Sequence, residues 1–143
     1  MRYYIATALS KIADHNLIRE ALKRFKHTIS YDWTLHGSVK SVSVARLREV
    51  AIFEMRGILE ADFVIVLLPG GKGTHFELGF AMGNNKKVFL HSEDSSLFDL
   101  GPQTSPFYHH SDLIRLCCPL VEVAAAVQSS LCSPSLSCIT TAL

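Results

Sequence analysis

The chain has 143 residues, a formal net charge of +1 and 48% hydrophobic side chains. This suits one domain whose core needs neither disulfide nor metal, and near-neutral charge without a basic stripe argues against phosphate-driven nucleic-acid binding. The start, Met1 to Leu9, turns polar too soon for a signal peptide, and no apolar run reaches the roughly 18 residues of a membrane span, so the expectation is a soluble cytoplasmic protein with no membrane partner.

Arg2 to Thr7 reads as a buried strand. Leu9, Ile12, Ala13, Leu17, Ala21, Leu22 and Phe25 then recur at helical spacing between charged residues. Ile29, Tyr31 and Trp33 alternate, which predicts a second strand over His27 to Trp33. A loop follows from Gly37 to Ser43, and a helix from Val44 to Glu60 carries Leu47, Val50, Ala51, Met55, Ile58 and Leu59 on one face. Asp62 to Leu68 is the strongest strand signal. Its continuous apolar run suits a parallel strand covered on both faces. Pro69-Gly70-Gly71-Lys72-Gly73 ends it, and a helix is predicted from Thr74 to about Asn84. Lys87 to His91 and Leu113 to Cys117 read as further strands, and Leu120 to Gln128 as a last helix.

Strands alternating with helices imply a single-domain α/β, Rossmann-like (flavodoxin-like) parallel sheet of about five strands over residues 1–128. Ligands of such sheets sit outside the carboxyl ends of the strands, so the loops at Thr7, Trp33, Pro69 and His91 should share one rim. Residues 129–143 form a tail rich in Ser and Thr, without charge or clear period, that reads either as disordered or as an addition to the ancestral domain. The cysteines, Cys117, Cys118, Cys132 and Cys138, lack metal-ligand spacing and read as free thiols; His109 and His110 read as solvated loop residues. No metal and no cofactor is expected.

Chemistry concentrates in Pro69-Gly70-Gly71-Lys72-Gly73-Thr74. Three glycines let the backbone approach a ligand, and the start of the following helix favours an anion. A P-loop is excluded because Gly73 follows Lys72, and a dinucleotide fingerprint because Phe76 stands where glycine is needed. Thr74-His75-Phe76-Glu77 fits a capping box, so Glu77 is either a cap or a catalytic carboxylate. Gly79 and Gly83 weaken a helix, which fits close packing around a ligand.

Ala61 to Leu68 followed by Gly73-Thr74-His75-Phe76-Glu77-Leu78-Gly79-Phe80-Ala81 and Lys86-Lys87-Val88, with Tyr4-Ile5-Ala6 at the start, resembles the nucleoside 2-deoxyribosyltransferase family. That family includes the 2′-deoxynucleoside 5′-phosphate N-hydrolases, and the resemblance covers about Met1 to Ser92. It implies cleavage or transfer of the N-glycosidic bond of a nucleoside or its 5′-monophosphate. It makes Glu77 the nucleophile, ionised by the helix start, and Tyr4 the residue that positions it. It places the second acid at Glu54, where the family has Asp; Asp62 is a weaker candidate, for substrate binding. The substrate-binding residues would be Gly71, Gly73 and Thr74. Trp33 would stack on a base, with Asp32 or His36 on its edge, although Trp33 and Tyr4 also read as core residues. Tyr108 would reach a neighbouring active site, implying a homodimer or larger homo-oligomer.

Thr7-Ala8-Leu9-Ser10-Lys11 stands where the nucleotide hydrolases carry a glycine-rich phosphate loop, which favours a nucleoside. Ser10 or the Gly70–Gly73 loop remains an alternative phosphate holder. Three other readings stay open: a phosphoribohydrolase of the cytokinin-activating, lysine-decarboxylase-like type, which the Pro-Gly-Gly-Lys-Gly-Thr loop also resembles; a non-catalytic nucleotide sensor; and an unrelated flavodoxin-like domain in which Glu77 only caps.

Overall fold

A computed structural model describes residues 1–133. Five parallel strands form one sheet: β1 (Arg2–Ala6), β2 (Thr28–Ile29), β3 (Phe63–Leu67), β4 (Lys87–His91) and β5 (Leu113–Leu116), in the order β2-β1-β3-β4-β5. Four helices connect or follow them: α1 (Ile12–Arg24), α2 (Val44–Glu60), α3 (Lys72–Gly83) and α4 (Val123–Cys132).

Strand alternation divides the core in two. Tyr4, Ala6, Val64, Val66 and Leu90 face one side, where Ile58 of α2 and Leu78 and Ala81 of α3 cover them. Tyr3, Ile5, Phe63, Ile65 and Phe89 face the other, under Ile18 and Leu22 of α1 and Val123 and Val127 of α4. β3 pairs with β1 and β4 and is buried along its length, which is why its sequence is apolar without alternation. This side assignment puts Tyr4 on the same layer as α3.

Local chemistry sets the helix ends. Ser43 caps α2 by accepting the Arg46 N–H at 3.0 Å. At the other end Lys86 Nζ donates to the Leu59 and Ala61 carbonyls at 2.5 and 2.8 Å, where a cation also complements the helix dipole.

The limits of α2 and β4 are those expected. β2 is far shorter than His27 to Trp33: the chain leaves the sheet after Ile29, and Trp33 opens a 3-10 turn, Trp33–Leu35, capped by Asp32. α3 starts two residues early, at Lys72, with Gly71 as its cap. A 3-10 turn, Leu9–Lys11, precedes α1. α4 follows another, Leu120–Glu122, and runs to Cys132, four residues beyond Gln128. Cys117, Cys118 and Cys132 are free thiols. Cys138 and the tail after Ser133 lie outside the described residues. Among those described, no helix is long and apolar enough to cross a membrane.

Candidate active site

A cleft of about 630 Å³ opens at the carboxyl ends of β1 and β3. Glu77 and Glu54 both line it, from α3 and α2, together with Trp33 and Val50. Residues 36–40 form one wall and Gly71 to Thr74 another.

Glu77 is only 7% exposed. The Tyr4 hydroxyl donates to its Oε1 at 2.5 Å. The pair forms because Tyr4 projects from β1 toward the α2–α3 layer, where the second turn of α3 passes. Burial pushes the Glu77 carboxyl up to about 8; the Tyr4 hydrogen bond opposes this and the nearby Glu54 charge adds to it. Burial also raises Glu54, with His36 acting against it, and it holds the Tyr4 hydroxyl well above its ordinary range.

This overturns two expectations about Glu77. It does not cap α3, because the helix begins at Lys72 and Glu77 is its sixth residue. Nor does the helix start hold it ionised: the dipole's effect fades within the first turn, and desolvation wins. The reciprocal part of the cap falls to Thr74, whose Oγ1 accepts the Gly71 N–H at 3.2 Å. Thr74 is buried, and Gly70 is glycine because a Cβ there would lie 2.4 Å from its methyl group.

The Gly71 carbonyl accepts the first backbone bond of the helix, from His75 N at 3.2 Å. The N–H groups of Lys72, Gly73 and Thr74 precede that bond and have no intrahelical acceptor. Lys72 on this wall and Lys40 on the facing one also line the cleft.

The remaining candidates divide. Trp33 lines the cleft but is 6% exposed; its indole N–H donates to the Ile5 carbonyl at 2.9 Å and its ring meets His15 edge-on. It is a fixed wall with its polar atom already spent. Asp32 is not in the cleft lining; it binds Arg19 Nη1 at 2.5 Å and accepts both the Thr34 N–H and hydroxyl. Asp62 sits at the amino end of β3, away from the cleft, where it accepts the Arg2 N–H at 2.7 Å. Tyr108 is buried in its own chain, bonded to His75 and set edge-on to Phe98. Ser10 is exposed and outside the lining.

Gly79 and Gly83 are exposed, with nothing within 4 Å of a Cβ, so packing does not require them. The tight glycine is Gly57 on α2, where a Cβ would lie 2.6 Å from Tyr31 Cβ and 3.1 Å from the Tyr4 ring. Lys40, Gly57 and His75 were not singled out from sequence. Only the position of Lys40, in a loop leading off the ligand rim, offered a signal.

Among the described residues no group of three or more His, Cys, Asp or Glu is placed to hold a metal ion. One buried and one half-buried carboxyl in one cleft, the buried one bonded to a tyrosine, can instead divide nucleophile and acid roles.

The family model described as Nucleoside 2-deoxyribosyltransferase matches residues 4–125 of the chain. No curated protein matches the sequence. Among solved structures, the Clostridium botulinum CMP N-glycosidase BcmB shares the fold at 18% identity, with a TM-score of 0.58 over 90% of this chain and 99% of that one.

Proposed function

Because the chain belongs to the nucleoside 2-deoxyribosyltransferase family, we propose that it cleaves or transfers the N-glycosidic bond of a nucleoside or its 5′-monophosphate, with Glu77 as nucleophile. The observation that carries this reading is the buried Glu77, bonded to Tyr4 and sharing its cleft with Glu54.

In the first step a Glu77 carboxylate oxygen bonds to C1′ as the C1′–N bond breaks. Glu54, whose carboxyl is raised by partial burial, acts in its protonated form and delivers its proton to the departing base. In the second step water attacks C1′, its proton returns to Glu54, and the bond to Glu77 breaks. A second base in place of water makes the reaction a transfer. This is the double displacement of retaining glycosidases, in which one carboxyl serves as acid and then as base. Tyr4 donates to the Glu77 oxygen and so stabilises the carboxylate that must attack.

Lys40, Lys72 and the unpaired N–H groups at the start of α3 favour an anionic substrate. A 5′-monophosphate is therefore expected to be preferred, contrary to the lean toward a nucleoside drawn from residues 7–11. A homodimer remains an expectation from the family and is read by light scattering on purified protein.

Chromatography tests the reaction. Wild type and Glu77→Ala are incubated with a panel of nucleosides and 5′-monophosphates in ribo and deoxy forms, with and without a second base. Release of free base by wild type and its loss in the variant are expected. Equal release by both sinks the assignment of Glu77. Ligand-induced thermal stabilisation with no base release from any substrate makes the protein a sensor.

A further inference from the structure

His75 lies on α3 two residues before Glu77, yet it does not line the cleft. Its side chain folds back over the first turn, and Nδ1 sits 2.8 Å from the Gly71 carbonyl oxygen. A carbonyl only accepts, so Nδ1 carries the proton. Nε2 is then a bare acceptor, and the Tyr108 hydroxyl donates to it at 2.6 Å. The two rings also stack, with centroids 5.9 Å apart. Tyr108 is buried in the 3-10 turn Pro106–His109, within the β4–β5 connection, and its N–H donates to the Ser105 carbonyl at 3.0 Å.

Every polar group of Gly71 is thereby occupied. Its N–H goes to Thr74, and its carbonyl takes both the His75 backbone and the His75 ring. A glycine that follows Gly70 and stands two residues before Gly73 would otherwise be free to rotate its peptide planes. With the Gly71 carbonyl turned into the helix, the N–H groups of Lys72 and Gly73 stay at the cleft wall.

We propose that Tyr108 and His75 are positioning residues: a hydrogen-bonded relay from the β4–β5 connection that sets the glycine loop for substrate. They act through Gly71 and touch no substrate. The proposal rests on the reading of that loop as a substrate wall, and its test has one arm that needs no turnover.

Backbone amide resonances of Lys72 and Gly73 are recorded in wild type, Tyr108→Phe, His75→Ala and His75→Asn. The phenylalanine keeps the ring stack and loses the hydroxyl. The asparagine restores a donor near the Nδ1 position. The Lys72 and Gly73 resonances shift in Tyr108→Phe and His75→Ala and return toward wild type in His75→Asn. In steady-state assays on the best substrate of the panel, KM rises about tenfold in His75→Ala, the scale of one lost hydrogen bond, with kcat changed less. The double variant Tyr108→Phe/His75→Ala is no worse than His75→Ala, because Tyr108 acts only through His75. Unmoved amide resonances in both single variants overturn the relay, whether or not any substrate is turned over. So does an additive loss in the double variant. Failure of wild type to release base overturns the proposed reaction and leaves the resonance arm to decide the relay.

Discussion

At the scale of the residue, Glu77 is a carboxyl held against its own solvation. With its value near 8, it is mostly protonated in the free site at neutral pH. The ionised form is the proposed nucleophile, so the Glu77 limb of the kcat/KM profile lies near 8. The Tyr4 bond lowers Glu77 toward the working range. Tyr4→Phe removes that bond without opening the core. The limb should then move up by about one pH unit, with a lower rate at pH 7. A pH profile that does not move would place Tyr4 in packing alone. The Glu77–Tyr4 pair was legible in the sequence because a motif glutamate and a first-strand tyrosine stand in the right order. The burial that sets the carboxyl's charge was not readable, since it depends on how α2 and α3 close over it. Trp33 shows the same limit: the alternation Ile29, Tyr31, Trp33 looks like a strand, but the indole N–H finds the Ile5 carbonyl and the chain turns there.

At the scale of the element, α2 can lie close to β1 only because position 57 has no side chain. A Cβ there meets Tyr31 Cβ, which cannot swing away, and the ring of Tyr4. Gly57→Ala should therefore cost about 1–3 kcal/mol in denaturant unfolding and reduce turnover by displacing Tyr4 from Glu77. An alanine variant with wild-type stability and activity would show that α2 shifts without cost. The exit of α2 offers a separate test. Lys86→Met removes the donor to two terminal carbonyls and should cost on the order of 1 kcal/mol with turnover unchanged. The length of α2 was legible from its periodicity and the Ser43 cap. The start of α3 was not, because Thr74-x-x-Glu77 imitates a capping box, whereas the observed cap uses the Thr74 hydroxyl as acceptor and Gly71 as donor.

At the scale of the molecule, the order of β1 before β3, with helices on both faces, places the cleft where loops from two central strands meet. That architecture was legible because β1, β3 and β4 are short apolar runs separated by helical periods. The long β4–β5 connection was not, since its turns depend on caps such as Asp94 and on buried Tyr108. Whole-chain stability also carries the imprint of Glu77. Below about pH 4.5, folded and unfolded chains both hold its proton. Between about 4.5 and 8 only the folded chain keeps it, so stability falls as pH rises, and above 8 the penalty is complete. Glu77→Gln should match wild type in acid and exceed it at pH 9 by about 3–5 kcal/mol or less, measured by chemical denaturation. A variant equally stable at both ends of the range would mean that the carboxylate is better solvated than its burial indicates.

The chain has one tryptophan, and it is the indole wedged in the cleft wall against Ile5 and His15. Trp33 is thus a native optical reporter at the place of interest. Its emission should lie toward the blue in the folded protein and change when a nucleotide fills the cleft. In Glu77→Gln, where turnover should be lost, occupancy can then be followed by light alone, without label or coupling enzyme.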